Sequence, residues 1–146
     1  MATKTLEDAI ILSVEAHRGQ LDKGHNPYIL HCLRVMLAQN SNIQMMIAIL
    51  HDAVEDGGIT LQDLAGQGYP NEVVKGVKAM TRNENQSYEE YLKIIMENDT
   101  VIPVKIADVR DNFSPARLMH LDVNTVQRLT KKYTKALQVL LKLNQN

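Results

Sequence analysis

The chain has 146 residues, 45% of them hydrophobic, with 16 Lys+Arg against 17 Asp+Glu and a formal net charge of −1. This length predicts one globular domain over residues 1–146, and the near-neutral charge excludes the clustered basic excess with which a nucleic-acid groove displaces counterions from phosphates. The single Cys32 cannot form an internal disulfide, so the core must supply the stability and a reducing compartment, the cytoplasm, is the expected location.

The opening MATKTLEDAI lacks the apolar stretch of a secretory signal. The longest aliphatic run, Met45 to Leu50, is far shorter than the roughly 20 residues of a bilayer span. Neither a membrane nor a nucleic acid is an expected partner. With no Trp, one Phe, five Tyr and seven Met, the apolar residues are mostly aliphatic, which suits packed helices better than a sheet.

In chain order, Leu6, Ile10, Val14 and His17 recur at helical spacing, and Gly19 closes the segment. Gln20 to Pro27 reads as a loop, followed by a helix from about Tyr28 to Gln39. Ile43 to Asp56 carries Ile47, Leu50 and Val54 on one stripe and stops at Gly57-Gly58. Thr60 with Asp63 and Ser87 with Glu90 have capping-box spacing and predict two helix starts. Pro70 and Pro103 suit the first turns of two further helices, the second running to about Phe113. A long amphipathic helix, roughly Asn124 to Leu143, closes the chain through Val126, Leu129, Tyr133, Leu137, Leu140 and Leu141. Its stripe could face the core or a twin subunit, and the oligomeric state is not legible. No strand pattern occurs, and the prediction is an all-α bundle of seven or eight helices.

Three polar sets interrupt this apolar frame. In Leu50-His51-Asp52-Ala53-Val54-Glu55-Asp56, four ionisable groups follow an apolar run, and His51 stacks over Glu55 and Asp52 over Asp56, one turn apart. A helix end emerging into water gives the same composition. In Val104-Lys105-Ile106-Ala107-Asp108, an Asp breaks an apolar face, with Asn112 one turn later. An inward Asp needs a partner or a metal; an outward one pairs with Lys105, Arg110 or Arg117. In Pro27-Tyr28-Ile29-Leu30-His31, the imidazole is either a satisfied core histidine or a ligand. Together His31, His51, Asp52 and Asp108 offer imidazole and carboxylate donors for a divalent ion such as Mn, Fe, Zn or Mg.

Ala16-His17-Arg18-Gly19-Gln20, Asn26 to His31, Leu50 to Asp56 and Val104 to Asp108 stand in the order and approximate spacing of the HD-domain metal-dependent phosphohydrolases. More narrowly, the chain resembles the hydrolase domain of the RelA/SpoT family and the small alarmone hydrolases over residues from about 5 to 140. The resemblance implies the HD-domain helical bundle and a guanosine 3′,5′-bis(diphosphate) 3′-pyrophosphohydrolase. The length leaves no space for the synthetase domain of the long members, so alarmone breakdown is expected rather than synthesis. His31, His51, Asp52 and Asp108 fall on the family's four metal ligands, with Mn²⁺ the usual metal. Glu55 and Asp56 fall on its acidic pair, which positions the attacking water and manages protons, Asn112 on a contact to the nucleotide sugar region, and Lys23 on a basic loop residue near the phosphates. A divalent ion lowers the pKa of water it binds toward roughly 7, and a carboxylate such as Glu55 can act as general base. Arg18, Lys105 and Arg82 are further candidates to meet phosphate charge, with ordinary surface charge as the alternative. His17 and Tyr28 are expected to support the site, His17 by hydrogen bonding and Tyr28 by packing and a local hydroxyl bond.

The chain departs from the family pattern at four positions. Asp22 stands where a basic residue stacks on the guanine, Cys32 where Pro follows the ligand His, Gly57 where Thr follows the acidic pair, and Pro115 where a Thr often stands near the nucleotide. Two other readings are therefore kept: a phosphohydrolase of another nucleotide or phosphoester, and a non-catalytic nucleotide-binding module of HD fold. The expected partner in each nucleotide reading is a small molecule.

Overall fold

The computed structural model describes residues 2–142, and among them the chain forms nine helices and no strand: α1 (Leu6–His17), α2 (Ile29–Leu37), α3 (Asn42–Asp56), α4 (Leu61–Gln67), α5 (Asn71–Met80), α6 (Tyr88–Met96), α7 (Ile102–Asn112), α8 (Pro115–Leu118) and α9 (Val123–Lys142). The helix beyond the predicted seven or eight is α8, a single turn begun by Pro115 at a position where its missing N–H has no intrahelical partner to lose. The end of the last predicted helix, Leu143, lies outside the described residues. Among the described residues, no helix is long and apolar enough to cross a membrane.

The architecture is organised around α3. Every residue from Met46 to Ala53 is buried, so this helix is surrounded on all sides. It packs against α1, α2 and α5, and its flank also meets α7, which is covered in turn by α9. Gly76 of α5 lets two backbones approach: a Cβ there would collide with the Ile47 side chain of α3. Gly57 does the same at the end of α3, where a Cβ would lie 2.7 Å from the Ala53 carbonyl and 3.0 Å from Ala16 of α1. That crowding accounts for glycine in place of threonine after the acidic pair. On α1 the deepest face is Ala9, Ser13 and His17, while Leu6, Ile10 and Val14 are only half-buried. Small side chains thus bring α1 close to α3.

Both predicted capping boxes form, at Thr60–Asp63 and Ser87–Glu90, and a third at Thr5–Asp8 begins α1. Between α1 and α2 the loop closes on itself: Asp22 Oδ1 accepts from the amides of Gly24 (2.8 Å) and Asn26 (3.0 Å), and Leu21 and Pro27 form an isolated antiparallel bridge. His25 takes the left-handed region at φ 64° to allow the turn. The loop stands beside the start of α2, which carries His31.

Candidate metal centre and phosphate pocket

Three helices converge on one buried point. His31 comes from α2, His51 and Asp52 from the last third of α3, and Asp108 from α7; none is more than 6% exposed. His31, Asp52 and Asp108 each place one ligand atom within 4.8 Å of the others. His31 Nε2 lies 3.0 Å from Asp108 Oδ1 and 3.5 Å from Asp52 Oδ2, and His51 Nε2 lies 3.2 Å from Asp52 Oδ1 and 3.7 Å from Asp108 Oδ1.

The outward nitrogens fix what the inward ones can do. His51 Nδ1 is 2.8 Å from the Ala48 carbonyl, which only accepts, so Nδ1 carries hydrogen and a neutral ring keeps its lone pair on Nε2. His31 Nδ1 is 2.6 Å from Asp111 Oδ2, and the same argument points its Nε2 lone pair inward. In their neutral forms the two rings thus point Nε2 lone pairs toward the two carboxylates, at the floor of a cavity that His51, Asp52 and Asp108 line. Burial disfavours a charged His51, yet the Asp52 and Asp108 carboxylates outweigh it and raise the imidazole well above its ordinary value. Burial likewise opposes ionised Asp108, but Lys105 and the two histidines hold it well below the usual carboxylate range. Both directions say that these carboxylates require positive charge among them, and the donor set could hold a divalent cation with the site residues as they stand.

Around this centre the structure brings in residues that sequence reasoning passed over. Arg34 grips Asp111 with two contacts, Nε at 2.6 Å to Oδ1 and a terminal nitrogen at 3.1 Å to Oδ2, so the carboxylate behind His31 is itself held. The signal was available: His31–Arg34 on α2 and Asp108–Asp111 on α7 are both i,i+3 pairs, which share a helix face. Arg117 of α8 donates to Asn112 Oδ1 and lies 3.6 Å from Asp111. Tyr28 donates its hydroxyl to Asp52 Oδ2 at 3.1 Å, the local hydroxyl bond expected of it, made here to a cluster carboxylate. Cys32 sits buried behind the same oxygen, its Sγ 3.9 Å away.

The other singled-out residues divide. Glu55 and Asp56 stand on the solvent side of Asp52, each with a carboxyl oxygen near it. Burial in the pocket raises the Glu55 carboxyl; the Arg82 amide, 3.1 Å from Oε1, opposes this, and the Asp52 charge adds to it. Burial and Asp52 also raise Asp56. Asn112 Nδ2 is 3.4 Å from Asp108 Oδ1. Lys23 lines an outer cavity of about 620 Å³, with Arg34, Asn112, Arg117 and Arg128. Lys105 is buried with Nζ 2.9 Å from Asp108 Oδ2, so its charge is committed to that carboxylate rather than open to a phosphate. Arg18 points elsewhere: it pairs with Glu15 at 2.7 Å in solvent and lines neither cavity. His17 reaches the site through its ring, 5.3 Å from that of Tyr28, while its Nδ1 bonds Gln20 Oε1 instead of a cluster residue. Arg82 does reach the inner cavity over the cluster, as does Lys132 of α9, which no periodicity argument separates from its helix's surface charges.

No protein-family model matches the chain. The bifunctional (p)ppGpp synthase/hydrolase SpoT of Escherichia coli K12 is 32% identical over 124 residues, covering 75% of this chain and 18% of that protein. The guanosine-3′,5′-bis(diphosphate) 3′-pyrophosphohydrolase of Vibrio cholerae is 28% identical, covering 75% of this chain and 17% of that protein. The chain thus spans less than a fifth of the length of these curated relatives. Among solved structures, a metazoan ortholog of SpoT that hydrolyses ppGpp superposes with a TM-score of 0.77 at 20% identity, covering 96% of this chain and 87% of that one. In sequence, over 75% of its length, the chain is similar to SpoT and to ppGpp pyrophosphohydrolases, and its fold is that of a SpoT ortholog.

Proposed function

We propose that this chain is a single-domain, cytoplasmic metal-dependent hydrolase that splits guanosine 3′,5′-bis(diphosphate) into GDP and pyrophosphate, with Mn²⁺ as its metal. The observation that carries the reading is the buried convergence of His31, His51, Asp52 and Asp108 with two carboxylates, Glu55 and Asp56, on the solvent side. A binding module has no use for that acidic pair beside a cation. The relatives named for this reaction support the choice of substrate.

His31, His51, Asp52 and Asp108 would hold a divalent cation, which would supply Lewis-acid polarisation and acidify a water. Glu55, whose carboxyl burial raises above its ordinary value, is suited to take a proton from an attacking water. The water oxygen bonds to phosphorus, the ester bond to the 3′ oxygen breaks, and the proton passes to that oxygen. Asp56 orients the water from the next position. Asn112 lines both cavities and so stands where the sugar joins diphosphate to base, while Lys23 lies on the outer wall. Asp111 and Tyr28 keep the ligands in register from behind.

One observation favours a second reading in the same chemical class, hydrolysis of another nucleotide. Asp22 spends its Oδ1 on its own loop and offers no cationic plane to a base. Purified protein with Mn²⁺ is therefore tested on ppGpp, pppGpp, an adenosine analogue, nucleoside monophosphates and an aryl phosphate. Pyrophosphate release from ppGpp is expected; activity confined to the aryl phosphate overturns the assignment, and turnover of the adenosine analogue in preference to ppGpp selects the second reading.

A further inference from the structure

The outer cavity, of about 620 Å³, is lined by residues of two stretches remote in sequence: Asp22 to Arg34, from the first loop into α2, and Asp111 to Tyr133, from the end of α7 into α9. Among the described residues, every polar contact between the two stretches involves His31 or Arg34, with Asp111 and Arg117 opposite. The Arg34–Asp111 pair is bidentate and charged, which makes this end a firm joint.

The stretches meet again at Gly24. A Cβ on Gly24 would lie 2.6 Å from His120 Cδ2 and 3.0 Å from His120 Nε2, so the imidazole fills the space that a side chain would take. Gly24 does not adopt the left-handed backbone of Gly19, Gly58 and Gly68, so glycine stands here for room and not for conformation. This second contact is the weaker one. His120 is exposed, and among the described residues its ring forms no hydrogen bond or ion pair; van der Waals contact is what holds it.

Each side is braced on its own account. Asp22 and the Leu21–Pro27 bridge tie the first loop to itself. Opposite, Arg117 fastens α8 to Asn112, and Asp122 accepts from the Thr125 amide at 2.8 Å at the start of α9. Between these two anchors lies a short turn, Met119 to Leu121, in which Met119 is 74% exposed. The two stretches can therefore part at Gly24–His120 without breaking a hydrogen bond, while the joint at Arg34–Asp111 stays shut.

We propose that the Gly24–His120 contact is a clasp on the outer cavity, which parts to admit a nucleoside diphosphate and closes behind it, so that nucleotide entry and release are gated there. The cavity is in the size range of small-molecule sites. The proposal rests on the reading of this protein as a nucleotide hydrolase with the sugar at Asn112.

The double variant Gly24→Cys/His120→Cys tests it, since the smaller thiol replaces the ring that a Gly24 side chain would strike, and the native Cys32 is buried. A disulfide or a short reversible thiol cross-link locks the clasp in the Mn²⁺-loaded protein, and GDP carrying a fluorescent methylanthraniloyl group is the probe. Locked while empty, the variant should take up less than about a tenth of the probe that its reduced form binds. Locked with the probe already bound, it should retain the probe through desalting and release it on reduction. A merely structural contact cannot give one cross-link opposite effects according to the order of addition. Gly24→Ala and His120→Ala, which loosen the clasp from either side, should each release the probe about fivefold faster than the parent. If the cross-linked protein binds and releases the probe as the parent does in either order, the clasp is overturned, while ppGpp hydrolysis by the reduced protein keeps the hydrolase reading. If trapping depends on the order but no nucleotide is turned over, the clasp stands and the hydrolase reading falls.

Discussion

Asp111 accepts from His31 Nδ1 at 2.6 Å while Arg34 holds both of its oxygens, so the ring that faces the cluster is aimed by a carboxylate that is itself aimed. Burial opposes ionised Asp111, but His31 and Arg34 hold it well below the usual carboxylate range, as an anion at any working pH. Replacing Asp111 by Asn removes the charge that favours the His31 tautomer. Competition with a chelator should show Mn²⁺ affinity falling about 10- to 100-fold. A loss of less than twofold would mean that the pair only packs.

Asp52 and Asp108 are held close together with Lys105 as their permanent counter-charge among the described residues, and this shortfall of positive charge predicts a stability response to metal. At a free concentration 100 times its dissociation constant, Mn²⁺ should stabilise the fold by about 2.7 kcal/mol and raise Tm by roughly 5 to 10 °C. Asp52→Asn should abolish most of that rise. Scanning calorimetry with and without Mn²⁺ decides it, and an equal rise in both proteins would place the metal elsewhere.

Glu55 carries a pH prediction in two parts. As a general base it must be ionised, and since burial raises its carboxyl, the acid limb of kcat/KM should fall above the ordinary carboxylate range. Glu55→Gln should lose about 10²- to 10⁴-fold in kcat. For the metal-free fold the sign reverses. A carboxyl raised in the folded state costs stability at neutral pH, and stability is regained as pH falls through the folded value toward the unfolded one. Glu55→Gln should therefore be more stable than the parent at pH 7 and lose that advantage in acid, as urea melts across pH will show.

Gly76→Ala tests the α3–α5 contact. Its Cβ would enter the space of the Ile47 side chain, and overpacking of this kind costs about 1–3 kcal/mol. Adding Ile47→Val should recover part of the loss. If urea unfolding finds the single variant as stable as the parent, the backbones separate more easily than the packing implies.

The cluster was legible in the sequence because its donors break apolar runs: His31 among Ile29 and Leu33, Asp108 between Ala107 and Val109, His51 directly after Leu50. A charge inside such a run has few physical explanations. The helices were legible from their caps and stops, with α8 missed because one turn leaves no periodicity. Arg18 stood in a recognised block, but a block fixes backbone placement and not where a long side chain finds its partner; Glu15 was nearer. Lys132 was hidden for the opposite reason. It lies in a run of exposed and half-buried polar residues on α9, and only the crossing of α9 over α7 and α6 turns it toward the pocket. Asp22 read as a change in base recognition, and the sequence did not show that its Oδ1 also ties its own loop.

The burial pattern of α3 has a dynamic consequence. From Met46 to Ala53 its backbone is sealed by three neighbouring helices, while its last turn carries Glu55 and Asp56 into solvent and ends at glycines. Opening free energy should therefore drop steeply within a single turn, between Ala53 and Gly57. The two carboxylates at the mouth can breathe and exchange solvent while His51 and Asp52, a few ångströms of helix away, keep their places.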